Sequence, residues 1–254
     1  RAQVTDSCGM LEAYAEVDMA LADLNGNTSA FRMSEDRAFI EGMAQTAADT
    51  LFYGNEAVNP ERFTGLNVRY NDLSAANAEN IINGGGSGSD NASIWLIGWG
   101  PNSCHGIYPK GSTAGLKMTD KGQVTITDPN GNGNMEGYRT HYRWDLGLTV
   151  RDWRYAVRIC NIDRSALKAD ASTGANLPDL MHSAEQRIPN MGTARMAYYM
   201  DRPLREMVAK QQAAGTSGST LKWEDVGGRR TMNSGSGIPM RRVDALAVNE
   251  ATIT

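Results

Sequence analysis

EGYRTHYRWDLGLTVRDWRYAVRICNID, residues 136–163, alternates large aromatics with arginines and aspartates over a length that no single catalytic motif needs. Successive side chains on a strand point to opposite faces. Tyr138, Thr140, Tyr142 and Trp144 therefore share one face, and Arg139, His141, Arg143 and Asp145 the other. After a break at Gly147 the pattern resumes, with Trp153, Tyr155 and Val157 alternating with Arg154, Ala156 and Arg158. The spacing predicts a twisted two-stranded ribbon with one core face and one charged face. Two roles stay open for the charged face. It is solvated, as charge runs usually are, or it is covered by other protein, because aromatics and arginine are enriched where proteins bury surface against one another.

A chain of 254 residues holds one large domain or two modest ones. Its net charge of −4 and pI near 5.5 exclude nucleic-acid binding through the overall field. Cys8, Cys104 and Cys160 are too few and too widely spaced for a disulfide framework or a zinc knuckle, and read as buried thiols of a reducing cytoplasm. No stretch approaches the ~18 apolar residues of a membrane span, and no apolar core of a secretory signal stands at the N-terminus. The expectation is a soluble protein without a membrane partner. Arg1 as first residue suggests a processed product or the visible part of a longer chain.

Working outward from the ribbon, residues 15–24 (AEVDMALADL) have helical composition and stop at Asn25-Gly26. A stronger helix is predicted over 35–52, with Ser34 as cap, Glu35 and Asp36 at its positive end, and Gly54 just past its end. Ile40, Met43, Ala44, Ala47, Ala48 and Leu51 give it one buried stripe. Between residues 55 and 120, glycine, asparagine and proline punctuate short apolar runs, including SIWLIGWG and HGIYPKG, as in strands joined by irregular loops. Val124–Thr127 reads as a strand, turned toward the ribbon by Asp128-Pro129-Asn130-Gly131. Helices follow at about 178–188 and 201–213 with TARMAYYM between them as a strand, and short strands around 222–225, 229–232 and 241–246.

Local motifs for chemistry fail on detail. The run Gly84-Gly85-Gly86-Ser87-Gly88-Ser89 lacks the Gly-Lys-Ser/Thr and the following helix of a phosphate loop, and reads as a flexible surface loop. Residues 128–133 match the first half of a calcium loop, but its twelfth position is Arg139 instead of glutamate, so a hairpin turn is the better account. His105, His141 and His182 have no second histidine or carboxylate at ligand spacing. No Gly-x-Ser-x-Gly elbow occurs. Carboxylates stand beside arginines (Glu61-Arg62, Asp145 near Arg143, Asp152 between Arg151 and Arg154), which favours ion pairs over a carboxylate poised for catalysis. No cofactor, metal or catalytic residue is expected.

Six segments taken together resemble the major capsid proteins of short-tailed double-stranded DNA phages and related prophages, with the Hong Kong 97-like fold. They are CGMLEAYAEVDMALADLNGN (8–27), SEDRAFIEGMAQTAADTLFYGN (34–55), NPERFTGLNVRYN (59–71), SIWLIGWGPNSCHGIYPKGSTAGL (93–116), GYRTHYRWDLGLTVRDWRYAVRICNID (137–163) and GIPMRRVDAL (237–246). The resemblance implies an α+β fold with a spine helix, a peripheral domain and a strand-rich axial domain. It places the end of an extended loop and a linker at 1–33, the peripheral domain with the spine helix at 34–58, the axial domain at 59–220, and a return to the peripheral domain's sheet at 221–254. Only 33 residues precede Ser34, so the family's N-terminal arm is cleaved or unseen, and no lysine and asparagine here match the covalent crosslink that some members make.

The function implied is structural. Copies assemble as hexamers and pentamers into an icosahedral shell, in the host cytoplasm, enclosing double-stranded DNA without reading its sequence. The chain itself is the main partner, with portal, scaffold or decoration proteins as others. An encapsulin-like nanocompartment shell and a ring-forming head-completion or tail protein are the alternative readings. Glu61, Arg62, Arg139, Arg143, Asp145, Arg151, Asp152 and Arg154 are the expected interface residues.

Overall fold

In chain order the elements are β1 (Cys8–Asp18), α1 (Met19–Asp23), α2 (Thr28–Tyr53), α3 (Leu66–Arg69), β2 (Ile81–Asn83), β3 (Asn91–Trp99), β4 (Cys104–Ile107), β5 (Leu116–Thr127) and β6 (Asn134–Val150). Then come β7 (Ala156–Asp163), α4 (Arg164–Ala169), α5 (Leu177–Gln186), β8 (Arg195–Met200), α6 (Arg202–Ala214), β9 (Lys222–Val226), β10 (Arg229–Asn233) and β11 (Met240–Arg242). The structure, a computed structural model, describes residues 4–24, 26–128, 131, 133–169, 174–214, 222–226 and 229–254. The chain forms two compact units: residues 1–64 with 106–148, and residues 65–105 with 149–254. These junctions fall elsewhere than the domain boundaries expected at 33, 58 and 220.

In the first unit β6 is the middle strand of an antiparallel ladder. β1 pairs with it from Cys8↔Gly147 to Asp18↔Gly137. β5 takes the other edge, from Leu116↔Trp144 to Thr127↔Asn134, with a bulge between Asp120 and Gln123 where Gly122 adopts φ +70°. The expected helix over 15–24 is thus β1 for its first part and α1 only from Met19. Leu11, Ala13, Ala15 and Val17 alternate with Glu12, Tyr14 and Glu16, so pairing with β6 overrides the helical composition.

α2 starts at Thr28, two turns before the predicted start at Glu35. Asn27 is its cap, accepting from the Ala30 amide at 3.3 Å, and Ser34 lies inside the helix. It ends at Gly54, whose amide donates to the Thr50 carbonyl at 2.8 Å. A Cβ at Gly54 would come within 2.2 Å of the Phe63 carbonyl, so only glycine fits there. The helix buries Asp36, Met43, Ala47, Thr50 and Phe52, with Ile40 half-buried, while Ala44 of the predicted stripe is exposed. Ala15, Met43 and Tyr142 form the small core beneath, flanked by Leu11, Ala13, Ile40 and Trp144.

The second unit has a sheet in the order β2-β7-β3-β8-β11, with β2 parallel to β7, β3 antiparallel to both β7 and β8, and β11 parallel to β8. β3 and β7 are buried on both faces. Leu167 of α4, Leu177 and Met181 of α5 and Leu204 and Val208 of α6 join Ile94, Leu96, Val157, Ile159 and Tyr198 in one core. Each such aliphatic side chain contributes roughly 1.5–3 kcal/mol by leaving water. β9 and β10 form a separate antiparallel pair. Residues 240–242, expected to join the peripheral domain's sheet, lie beside β8.

The opening ribbon divides differently from its sequence reading. β6 runs through Gly147 to Val150, and the break falls at a 3-10 turn over Trp153–Tyr155. In β7 no solvated charged face exists, since Arg158 is 1% exposed. The glycine run at 84–88 is stitched to β7: Gly84 and Gly86 donate to the carbonyls of Cys160 and Asn161 at 2.8 and 2.7 Å. Asn161 itself sits at φ 53°. Its amide nitrogen donates to the Ile253 carbonyl at 2.9 Å and to Asn83 Oδ1 at 3.1 Å, and its Oδ1 accepts from the Ile253 amide at 2.9 Å. Of the thiols, Cys104 and Cys160 are buried as expected, whereas Cys8 is exposed at the start of the edge strand β1.

Candidate assembly surfaces

The β1–β6 register sets Glu12, Tyr14 and Glu16 opposite Arg143, His141 and Arg139. Arg139 pairs with Glu16 at 2.6 Å and lies 5.9 Å from the Tyr14 ring centroid. His141 stacks on Tyr14 at 4.7 Å and approaches Glu12 at 3.3 Å. Arg143 donates to Asp145 at 3.1 Å, and Ser112 donates to the other carboxylate oxygen. Ser112 first and Arg143 second hold the Asp145 carboxyl below its usual range. Half-exposed pairs of this kind contribute at most about 1 kcal/mol each. The face is neutralised within itself, and Met10 and Tyr14 stand out of it, each 51% exposed.

The opposite face of this ladder carries contacts that the sequence reading missed. Tyr142 donates to the buried Asp36 carboxylate at 2.7 Å, and burial, helped by that hydrogen bond, pushes its phenol up to about 12. Arg32 grips Asp120 with two bonds of 3.1 and 2.6 Å, donates to Thr140 at 3.2 Å, and stacks 4.9 Å over Tyr138. The bulge in β5 sets this grip, because Asp120 Oδ1 also accepts from the Gly122 amide at 2.8 Å. Asp36 reads as a charge at the helix's positive end and Arg32 lies before the predicted helix, and only the register of β5 and β6 shows what they meet.

The expected pair Glu61-Arg62 does not form. Arg62 turns to Asp49 at 2.6 Å, and Glu61 stays exposed on the wall of a cavity of about 320 Å³ lined by Gly9, Leu11, Ala47, Thr50, Phe63 and Leu146. In the second unit Asp152 caps the 3-10 turn and takes two bonds from Arg154 at 2.9 and 2.8 Å, which keep its carboxyl low. Arg151 is exposed and donates to the Pro101 carbonyl at 3.2 Å. The eight candidates thus separate: Glu61, Arg62, Arg139, Arg143 and Asp145 belong to the first unit, and Arg151, Asp152 and Arg154 to the second.

The deepest charges lie elsewhere. Arg158 donates to Glu250 at 2.9 Å, to Ser93 Oγ at 3.0 Å and to the Tyr70 carbonyl at 2.8 Å, with its guanidinium 5.0 Å from the Trp95 ring. Ser93 in turn donates to Glu250. Each partner of this pair is far away in sequence, so composition carried no signal for it.

Chemistry of turnover has little to work with. Among the described residues no group of three His, Cys, Asp or Glu side chains is placed to hold a metal ion. Burial pushes the Cys104 and Cys160 thiols up to about 12 and about 11, which leaves them protonated and inert. The calcium-like turn lies partly outside the described residues, at Pro129, Asn130 and Asn132; its flanks close as a hairpin, with the Asp128 amide donating to the Gly133 carbonyl at 2.9 Å. Among the described residues no helix is long and apolar enough to cross a membrane.

Comparison with known proteins points one way. The family model described as major capsid protein GP7 matches residues 1–254. A chain of the near-atomic cryo-EM structure of bacteriophage Epsilon15 superposes with a TM-score of 0.69 at 35% sequence identity, covering 99% of this chain and 76% of that one. No curated protein gives a significant match. The expected Hong Kong 97-like α+β architecture is the one found.

Proposed function

The chain belongs to the major capsid protein GP7 family, and from that premise we propose that its copies close as hexamers and pentamers into an icosahedral shell around double-stranded DNA. It is a structural protein of the phage virion capsid and not an enzyme. The observation that carries the shell reading is the match over nearly the whole chain to a chain of a phage structure at 35% identity. Weak contacts suffice for such an assembly, because each subunit meets several neighbours and effective concentration multiplies the gain.

Within that reading the first compact unit, with α2 as spine helix, is the peripheral domain, and the second is the axial domain. The grouping of residues 106–148 with α2 supports this division, as does the pairing of β11 with β8. The closing segment then belongs to the axial domain. Arg151 and Glu61 are the interface residues of choice, since both are exposed and have no ion-pair partner among the described residues, while Arg62, Arg139, Arg143, Asp145, Asp152 and Arg154 act first within their own unit. Portal, scaffold or decoration proteins complete the set of partners.

Negative-stain microscopy of the purified protein tests the proposal. Closed icosahedral particles are expected; rings or a small oligomer alone would refute it. Arg151→Glu should lower particle yield while leaving the circular dichroism of the subunit unchanged, because the side chain's contact is to a single backbone carbonyl.

A further inference from the structure

α6 begins two residues after β8 ends, and β11 lies parallel to β8, with Arg241 opposite Tyr199 and Arg242 opposite Met200. This topology gathers Arg202 and Arg205 from the first turn of α6 with Arg242 from β11, which shares the face of Met240, while Arg241 turns to the Tyr199 side. The positive end of the helix dipole adds to the same field. Cations are unfavourable there, so the chain should supply anions. It supplies few. Asp244 pairs with Arg202 at 2.7 Å, Asp201 caps the helix at the Leu204 amide and faces Arg164 at 3.4 Å, and Glu206 is taken by Lys210 at 2.6 Å. Among the described residues no carboxylate pairs with Arg205, Arg241 or Arg242. Nε of Arg205 is out of contact with water and has no hydrogen-bond partner. Burial and the neighbouring Arg242 both push the Arg205 guanidinium down from its ordinary value.

An isolated subunit gains nothing from arginines crowded in this way. The cost is recovered when an anion arrives from outside, and a planar guanidinium suits a carboxylate that accepts two bonds. The first unit is where such carboxylates stand. Residues 1–64 carry four arginines, no lysine and eleven carboxylates. Glu35 on α2 and Glu61 are both exposed, and neither has an ion-pair partner among the described residues.

We propose that the arginine cluster at the α6–β11 corner is a docking surface for a second copy of this chain, received through the free carboxylates of its residues 1–64. The contact is head-to-tail, using different patches on the two copies, and so propagates around a ring or shell instead of stopping at a pair. This rests on the shell reading above. Long-range attraction between the two patches also steers encounter, and makes assembly sensitive to salt.

The test is the R205E/R242E variant. Particle yield should fall by about tenfold or more, the range that loss of charge pairs across an interface gives, with the subunit's circular dichroism preserved. Adding E35K/E61K to the same chain should restore particles. If R205E/R242E proves insoluble, R242E alone, whose side chain is exposed, carries the same test. Normal particles from these variants overturn the proposal. Particles formed in normal yield that then lose their DNA assign the cluster to phosphates, and overturn it too. Loss of particles without rescue by E35K/E61K rejects residues 1–64 as the partner surface. Failure of the parent chain to form particles brings down the shell reading itself, and is told apart by running the parent alongside.

Discussion

The two compact units keep their structure by different means. In the second, β3 and β7 are buried on both faces and a single core joins strands to three helices. Even its central ion pair is dry: the side chains of Arg158 and Glu250 are 1% and 6% exposed. In the first unit Ala15, Met43 and Tyr142 form one small cluster under α2, with Ala47, Phe52 and Phe63 buried further along, and the ladder is held by Arg32–Asp120, Tyr142–Asp36 and Arg139–Glu16, while Met10, Tyr14, Met33, Phe39 and Met118 stay exposed. These side chains lie on both faces of the ladder, Met10 and Tyr14 beside the charges and Met118 beside Tyr142. One unit closes over its own interior, and the other keeps large apolar side chains on its surface.

The largest effect that would break this comparison lies in the buried pair. Glu250→Gln should destabilise the unassembled subunit by about 3–5 kcal/mol, since it strands the Arg158 charge. Replacing both residues by methionine should cost less than the single change. Urea denaturation reads both, and a loss below about 1 kcal/mol for Glu250→Gln would show that the second unit is not locked by its interior. Next comes Tyr142→Phe, which removes a hydrogen bond to a carboxylate and should cost about 1.5–3 kcal/mol. It should weaken the ladder of the first unit while leaving amide exchange in β3 and β7 unchanged.

The same tyrosine gives a pH signature. Its folded value is raised to about 12 from an ordinary value near 10. The stability it contributes is therefore fully present below pH ~10 and is lost as pH rises through about 12. Urea denaturation at rising pH should show a smaller loss between pH ~10 and ~12 in Tyr142→Phe than in the parent, the remainder coming from Tyr70 and Tyr198, whose phenols burial also pushes up. The smallest effect belongs to Asp120→Asn. Its carboxyl is held low mainly by Arg32, so its contribution is present above the ordinary carboxylate range and disappears as pH falls through the lowered value. With the Asp120 side chain half-exposed, at most about 1 kcal/mol is at stake, and high salt should reduce it further.

How far the sequence spoke can be seen residue by residue. Alternation over 138–144 put Tyr142 on the inward face correctly, because period two survives any change of partner. The stop at Gly54 was legible for a similar local reason. β1 was not, since Ala15 to Leu24 favour a helix and only the eleven-residue register with β6 decides otherwise. Nor was the start of α2, where Ala30, Arg32 and Met33 favour a helix but Ser34 followed by Glu35 and Asp36 offered a second, later start signal. For the assembly surfaces, spacing found Asp152 with Arg154 and Asp145 with Arg143, which are local. It mispaired Arg62 with Glu61, two adjacent side chains, where the fold brings Asp49 of α2. The arginines of α6 and β11 come together only through β8, and no short window of sequence contains them all.

One residue shows how narrowly a shell subunit can be written. Asn161 holds a left-handed backbone that asparagine and glycine tolerate best, and commits both ends of its amide to the backbone of Ile253 in the closing segment. Glycine would keep the bend and drop the closing segment; aspartate would keep one acceptor and lose both donors. At this place in the text the letter has no synonym, and any rewording of the chain around it must leave it standing.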